Sequence, residues 1–188
     1  MTDLQALQWI KDNLGRYIKT ALELVPGTIY TEDWLAAMAY RETGILIHRY
    51  VPTGIPFKQI CEKMKGDYGQ RPGETEKQYH GFSFWQIDTG SYPDFINSGQ
   101  WKDPVQSCKK AIQVLEEKRM YLWGNGKQIN VAKYPADIVH RAITAAYNCG
   151  QGNVYKALMV GKDVDIYTFN HDYSREVWRF RDMYRIFK

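Results

Sequence analysis

Between Arg49 and His80 the chain carries Pro52, Gly54, Pro56, Gly66, Gly69, Pro72 and Gly73 among polar residues. Proline removes a backbone donor and clashes with the preceding turn, and glycine costs backbone entropy, so no long regular element is expected to cross this stretch. It reads as an excursion over the surface, with room for one short helix from about Phe57 to Met64. On either side the apolar residues recur at spacings of three and four, the mark of amphipathic helices. A chain built this way is constrained to be mainly helical, with its irregular part in the first half.

Leu4, Leu7, Ile10, Leu14 and Ile18 define one face of an opening helix from residue 3 to about residue 20, closed by Pro26 and Gly27. Thr31 can cap a second helix whose first turn holds Glu32 and Asp33, favourable beside the positive end of the helix dipole. That helix is predicted to run to about Thr43, with Gly44 as its C-cap. The segment FSFWQID, Phe82 to Asp88, is aromatic-rich and short enough for a single strand, and Thr89-Gly90 can turn the chain after it. Asp103-Pro104 opens a helix to about Tyr121, ahead of Gly124-Asn125-Gly126. Further helices are predicted from about Ala136 to Asn148, Asn153 to Met159 and Asp172 to Phe187. In the last, Tyr173, Val177, Phe180, Tyr184 and Phe187 form a core stripe, with Tyr173 the one member open to another duty. The expected class is mainly α (α+β), one domain over residues 1–188 with 1–30 as a helical extension packed on it.

Composition excludes several alternatives. An apolar share of 44%, with six Trp and fourteen Tyr, is too high for a disordered segment, and 188 residues suffice for one substantial core. No apolar run approaches the roughly 18 uncharged residues of a membrane span. The start, MTDLQALQWIKDNLG, lacks the regions of a secretory signal, so either nothing was cleaved or this is a trimmed mature domain. Three cysteines, Cys61, Cys108 and Cys149, have neither CxxC nor Cys/His spacing and read as packed free thiols rather than a disulfide framework or a zinc site. The net charge of +4 mildly favours an anionic partner, but no basic run interleaved with aromatics points to nucleic acid.

Against this background two carboxylates stand out. Leu35, Met38 and Ala39 mark the buried stripe of the second helix, and a further step of three lands on Glu42. A carboxyl group held against apolar neighbours keeps its proton to higher pH, as a general acid for glycosidic cleavage must. The alternative is a glutamate at a helix end that pairs with Arg41 or another cation, or reaches water. Asp88 closes FSFWQID, where strand alternation would put Phe82, Phe84, Gln86 and Asp88 on one side, aromatics beside an amide as a sugar cleft requires. Equally, Asp88 can be a turn residue before Thr89-Gly90. In AAYNCGQGNV, Gly150 suits a helix C-cap and Asn153 the start of the next helix, while Tyr147 and Asn148 can project together from a helix end.

Taken together, four segments resemble the goose-type lysozyme family, of the lysozyme-like superfamily related to lytic transglycosylases. AYRETG at 39–44 resembles the family's Arg-Glu helix motif, whose Glu is the catalytic acid; GFSFWQID at 81–88 resembles its Gly-Phe-Gly-Leu-Met-Gln-Val-Asp strand, whose Asp helps position water. AAYNCGQGNV at 145–154 resembles the cleft-lining Ala-Tyr-Asn-Ala-Gly-x-Gly-Asn-Val, and HDYSREV at 171–177 resembles Asp-Asp-Tyr-Ser at the start of the last helix. The four follow the family's order from about residue 31 onward. The stretch between Glu42 and Asp88 is longer than the family's, and its further Asp has no assignable match among Asp67, Glu74 and Glu76. Ser83 stands for a Gly and Trp85 for a Met, which would put a new Trp beside the cleft.

The resemblance implies a lysozyme-like fold, a helical body with a small β element beside a substrate cleft. It implies a muramidase that hydrolyses, with inversion, the β-1,4 bond between N-acetylmuramic acid and N-acetylglucosamine of peptidoglycan. Glu42 would be the general acid, Asp88 would orient the water, and Phe82, Gln86, Tyr147, Asn148 and Tyr173 would bind substrate, with no metal or cofactor. A bacteriolytic monomer acting in the cell wall or periplasm follows, with a proteinaceous inhibitor as a further partner and phage lysis or secretion-system delivery as routes. The alternatives are a lytic transglycosylase, a chitin-cleaving relative and, from another class, an inactive glycan-binding domain.

Overall fold

The computed structural model describes residues 1–124 and 133–187, so the expected break at Asn125-Gly126 lies outside the described residues. Nine α-helices and one three-stranded antiparallel sheet among those residues give the mainly helical α+β class read from the sequence. No helix among them is long and apolar enough to cross a membrane. The chain divides into two compact units, Met1–Ala111 with Phe180–Lys188, and Ile112–Arg179.

The first unit opens on α1 (Asp3–Asn13) and α2 (Gly15–Glu23), where one helix was expected. They part at Leu14, next to a close approach at Gly15, where a Cβ would stand 3.2 Å from Glu32 Oε1 and 3.4 Å from the Tyr184 hydroxyl. The apolar face survives the break, since Leu7, Ile10, Leu14 and Ile18 are all fully buried, although Leu4 is exposed. A reciprocal capping box, Thr2 with Gln5, starts α1 by satisfying two of its free amide donors.

Helix α3 (Glu32–Tyr50) packs against α1 and α2. Every residue from Asp33 to Tyr40 is buried, so the first half of α3 is enclosed on all sides, whereas from Arg41 onward only Thr43 and Ile47 are buried and the helix has one inner face. The expected end at Thr43 is thus corrected by two turns. Fully buried Ile47 rewards continuation, Thr43 donates its hydroxyl to the Ala39 carbonyl at 2.7 Å, and Gly44 is an interior residue packed on the Tyr40 ring rather than a cap. The front of α3 is tied to the last helix, Glu32 accepting from the Tyr184 hydroxyl at 2.7 Å and Asp33 pairing with Arg185.

After a short turn at Val51–Thr53, α4 (Phe57–Lys63) fills the place expected for a helix inside the excursion. The excursion also supplies the sheet's first strand, which the glycine content argued against. β1 (Lys65–Gly69), β2 (Gln78–Phe82) and β3 (Ile87–Asp88) pair antiparallel in that order, with Gly66 opposite Gly81, Tyr68 opposite Tyr79 and Gly81 opposite Asp88. FSFWQID is therefore a hairpin and not one strand. Ser83 and Gln86 take left-handed φ of 69° and 47°, the Gln86 amide closes on the Ser83 carbonyl at 3.2 Å, and the chain doubles back. The tip plunges inward: Phe84 and Trp85 are 1% and 0% exposed. The unit continues through α5 (Pro93–Asn97) into α6 (Pro104–Trp123), whose Asp103 side chain accepts from the Val105 and Gln106 amides as the cap-then-proline order predicts.

In the second unit, Leu122 of α6, Ala142, Ala145 and Ala146 of α7 (Ala136–Cys149), Val154 and Leu158 of α8 (Gln151–Met159) and Val164 form one core. The small alanines let α7 and α8 approach closely. Helix α9 (Tyr173–Arg185) starts on fully buried Asp165, which accepts from the Ser174 amide at 2.8 Å and the Ser174 hydroxyl at 2.6 Å and pairs with Arg141 at 3.2 Å.

Candidate active site

Glu42 lies in the interior of α3, half-buried, one residue past the point where the helix leaves the enclosed core. It continues the face of Leu35 and Met38, both fully buried, and is itself half-buried. The hairpin tip is pinned to that helix: Trp85 donates its indole N–H to the Leu35 carbonyl at 3.0 Å. Leu35 precedes Glu42 by seven residues, two helical turns or about 10 Å along the axis. Trp85 is thereby a core anchor, and the expectation that it stands beside a cleft is overturned by its complete burial.

Three residues beyond Trp85, Asp88 is engaged on both carboxylate oxygens. Arg71 Nη1 stands 2.7 Å from Oδ1, and the Ser91 amide donates to Oδ2 at 2.7 Å. Partial burial opposes the charge, but the bonds from Arg71 and Ser91 and the guanidinium charge prevail and hold the carboxyl below its usual range. Asp88 also does the turn duty weighed as its alternative, its backbone carbonyl accepting from the Tyr92 amide at 3.0 Å.

Arg71 sits in a web of its own. Its Nη2 pairs with Asp67 Oδ2 at 2.8 Å, and its amide donates to Glu74 Oε2 at 2.6 Å. Glu74 receives His80 Nε2 at 2.8 Å, while His80 Nδ1 meets the Asp67 carbonyl at 2.8 Å. Both partners of this 1%-exposed imidazole only accept, so both bonds together require the doubly protonated ring. Burial disfavours that charge, yet the bonds to Asp67 and Glu74 outweigh it and raise the His80 pKa; in turn the Arg71 amide and His80 lower that of Glu74.

Gln86 is half-buried and lies across the sheet over the facing pair Gly66 and Gly81, where a Cβ would come within 2.2 Å and 2.4 Å of its Oε1. Its Nε2 donates to the Ser83 carbonyl at 2.8 Å. Phe82 packs edge-on to Trp101 at 5.1 Å, with the Lys65 ammonium 5.3 Å over the indole. Phe82, Gln86 and Asp88 are thus gathered by one hairpin, though not on one strand face, while Phe84, expected on the same side, is in the core.

The other three expected residues belong to the second unit. Tyr147 is half-buried near the end of α7, and exposed Asn148 accepts the Phe169 amide at 3.0 Å, tying the following loop to the helix end. Gly150 caps α7 as expected, but Asn153 is inside α8, its side chain donating back to the Cys149 carbonyl at 2.9 Å. Tyr173 is 1% exposed and packs in the α9 stripe, so it offers no surface to a ligand.

Sequence reasoning missed Arg71 and the Gly66–Gly81 floor. Neither leaves a local signal: Arg71, in the loop between β1 and β2, acts on Asp88 of β3, and Gly66 and Gly81 lie against the side chain of Gln86 in the turn between β2 and β3. No group of three or more His, Cys, Asp or Glu able to hold a metal ion occurs among the described residues, and burial pushes the Cys61 thiol up to about 12 and the Cys149 thiol up to about 11. Comparison with protein-family models, with curated proteins and with solved structures gives no match to this chain.

Proposed function

We propose that this chain is a peptidoglycan-cleaving muramidase of the goose-type lysozyme kind, acting on the cell wall with Glu42 as general acid. The observation that carries the reading is two carboxylates in unlike surroundings on two pinned elements. Glu42 is half-buried in continuation of the buried Leu35 and Met38 face of α3, and Asp88 is an ion-paired carboxylate on the hairpin that Trp85 fastens to the same helix.

In this reading Glu42 gives its proton to the glycosidic oxygen as the bond from the anomeric carbon breaks. A water attacks that carbon from the opposite face and loses its own proton to solvent, so the product is inverted. Such a geometry places the carboxylates roughly 6.5 to 9.5 Å apart. A carboxylate held below its usual range is a weak base, so Asp88 serves chiefly by accepting a hydrogen bond from the water and aiming its lone pair.

Product analysis tests this directly. Purified peptidoglycan digested with the protein is expected to give muropeptides with a reducing end, carrying one water more than anhydro products by mass spectrometry. Anhydro products alone would make the protein a lytic transglycosylase, and no fragments at all would reject enzymatic cleavage.

A further inference from the structure

Residues 49–80 carry no part of the lysozyme resemblance, yet they deliver a guanidinium onto one of the two proposed site carboxylates. We propose that Arg71 is a positioning residue for Asp88, and that the loop joining β1 to β2 is a brace that holds Arg71 in place. The inference rests on the muramidase reading for what Asp88 does, but not for the clamp itself.

Each group of the clamp is held by another. Arg71 bridges Asp88 Oδ1 at 2.7 Å and Asp67 Oδ2 at 2.8 Å, which fixes the guanidinium plane between two carboxylates. Its backbone is fastened by Glu74, and Glu74 and the Asp67 carbonyl are joined through buried His80. His80 in turn accepts the Thr89 amide on its own carbonyl at 2.8 Å, so the brace grips the strand immediately next to Asp88. Gly90 completes the fit: a Cβ there would lie 3.2 Å from Asp88 Oδ2 and 3.3 Å from Arg71 Nη1. Side chains of Arg71 and Asp88 are 40% and 35% exposed, so the pair adds little to global stability, and its consequence falls on where the carboxylate points.

With Oδ1 taken by Arg71 and Oδ2 by Ser91, the carboxylate cannot rotate, and its remaining lone pairs have fixed directions. A water that accepts orientation from those lone pairs is held for attack without reorganisation. Lysine at position 71 would keep the charge but lose the planar fork that spans two acids.

The test compares wild type, Arg71→Ala and Arg71→Lys in two measurements. The first, independent of activity, follows the Asp88 side-chain carboxyl carbon by NMR through an acid titration. Arg71→Ala is expected to move its midpoint up toward the ordinary value of 3.8, and Arg71→Lys to move it less. The second is the pH profile of peptidoglycan turnover. Arg71→Ala should lower kcat by roughly tenfold or more, within the 10²-fold that about 1 Å of misplacement can cost, with KM little changed and the acid limb displaced upward. Arg71→Lys should restore the acid limb but not kcat.

An Asp88 titration that does not move in Arg71→Ala overturns the clamp. A titration that moves while kcat and the acid limb stay at wild-type values overturns the positioning role. If wild type shows no turnover and the titration still moves, the clamp is upheld and the muramidase reading is what fails.

Discussion

Glu42 owes its position to a change of surroundings within a single helix. Through Tyr40 the helix is packed all round, from Arg41 it is packed on one side, and Glu42 is the half-buried residue that continues the Leu35 and Met38 face just past that change. Replacement of Glu42 by Gln preserves size and hydrogen-bonding capacity while removing the transferable proton. Cleavage of peptidoglycan by Glu42→Gln should therefore fall by roughly 10²-fold or more, the usual contribution of a positioned acid, with an unchanged circular dichroism spectrum and melting temperature. Turnover within about tenfold of wild type would remove Glu42 from the acid role. The periodicity of Leu35, Met38 and Ala39 was enough to single this residue out; its location mid-helix was not legible, because Gly44 mimics a cap and only the tertiary burial of Ile47 carries the helix past it.

The element that departs furthest from its pattern is the hairpin around Trp85. Alternation and aromatic content describe a strand equally well, and the left-handed φ of Ser83 and Gln86, neither of them glycine, cannot be read from residue type. The ion pair joins Arg71, in the loop between β1 and β2, to Asp88 at the end of β3, so spacing rules that work within one helix or strand say nothing about it. The loop itself makes a pH prediction. Glu74 has a lowered pKa in the folded chain, so its contribution is present above its ordinary 4.5 and is lost as pH falls through the lower folded value. His80 is raised, so its contribution is complete below its ordinary 6.5 and is lost as pH rises through the higher folded value. Hydrogen-exchange protection of the β1–β2 amides in wild type relative to Glu74→Gln should accordingly be greatest between these two values and shrink on either side. A difference that stays flat from well below the lower value to well above the upper one would mean that the His80–Glu74 contact does not hold the loop.

At the level of the whole molecule the sequence revealed class more readily than arrangement: most helices could be placed from apolar stripes, caps and breakers, although α5 was not foreseen and α1 and α2 read as one, whereas the sheet depends on pairing between strands that leaves only a weak trace. Net charge, by contrast, is fully legible, and it bears on how the protein finds its proposed substrate. An excess of four positive charges, 25 basic against 21 acidic side chains, draws the molecule toward an anionic wall over distances that salt controls. The screening length is about 30 Å at 0.01 M salt and about 10 Å at 0.1 M, so attraction from charges spread over the surface is felt at the first and largely lost at the second. Glu42→Gln, which should bind without cleaving, isolates this effect when co-sedimented with insoluble peptidoglycan at increasing salt. Its apparent affinity should fall by about tenfold across that range, the lower end of the 10–10³ span of steered association, because the charge excess is modest. Affinity that ignores salt would place recognition in the contacts of the site alone, and affinity that rises with salt would mean that apolar surface, not charge, brings the protein to the wall.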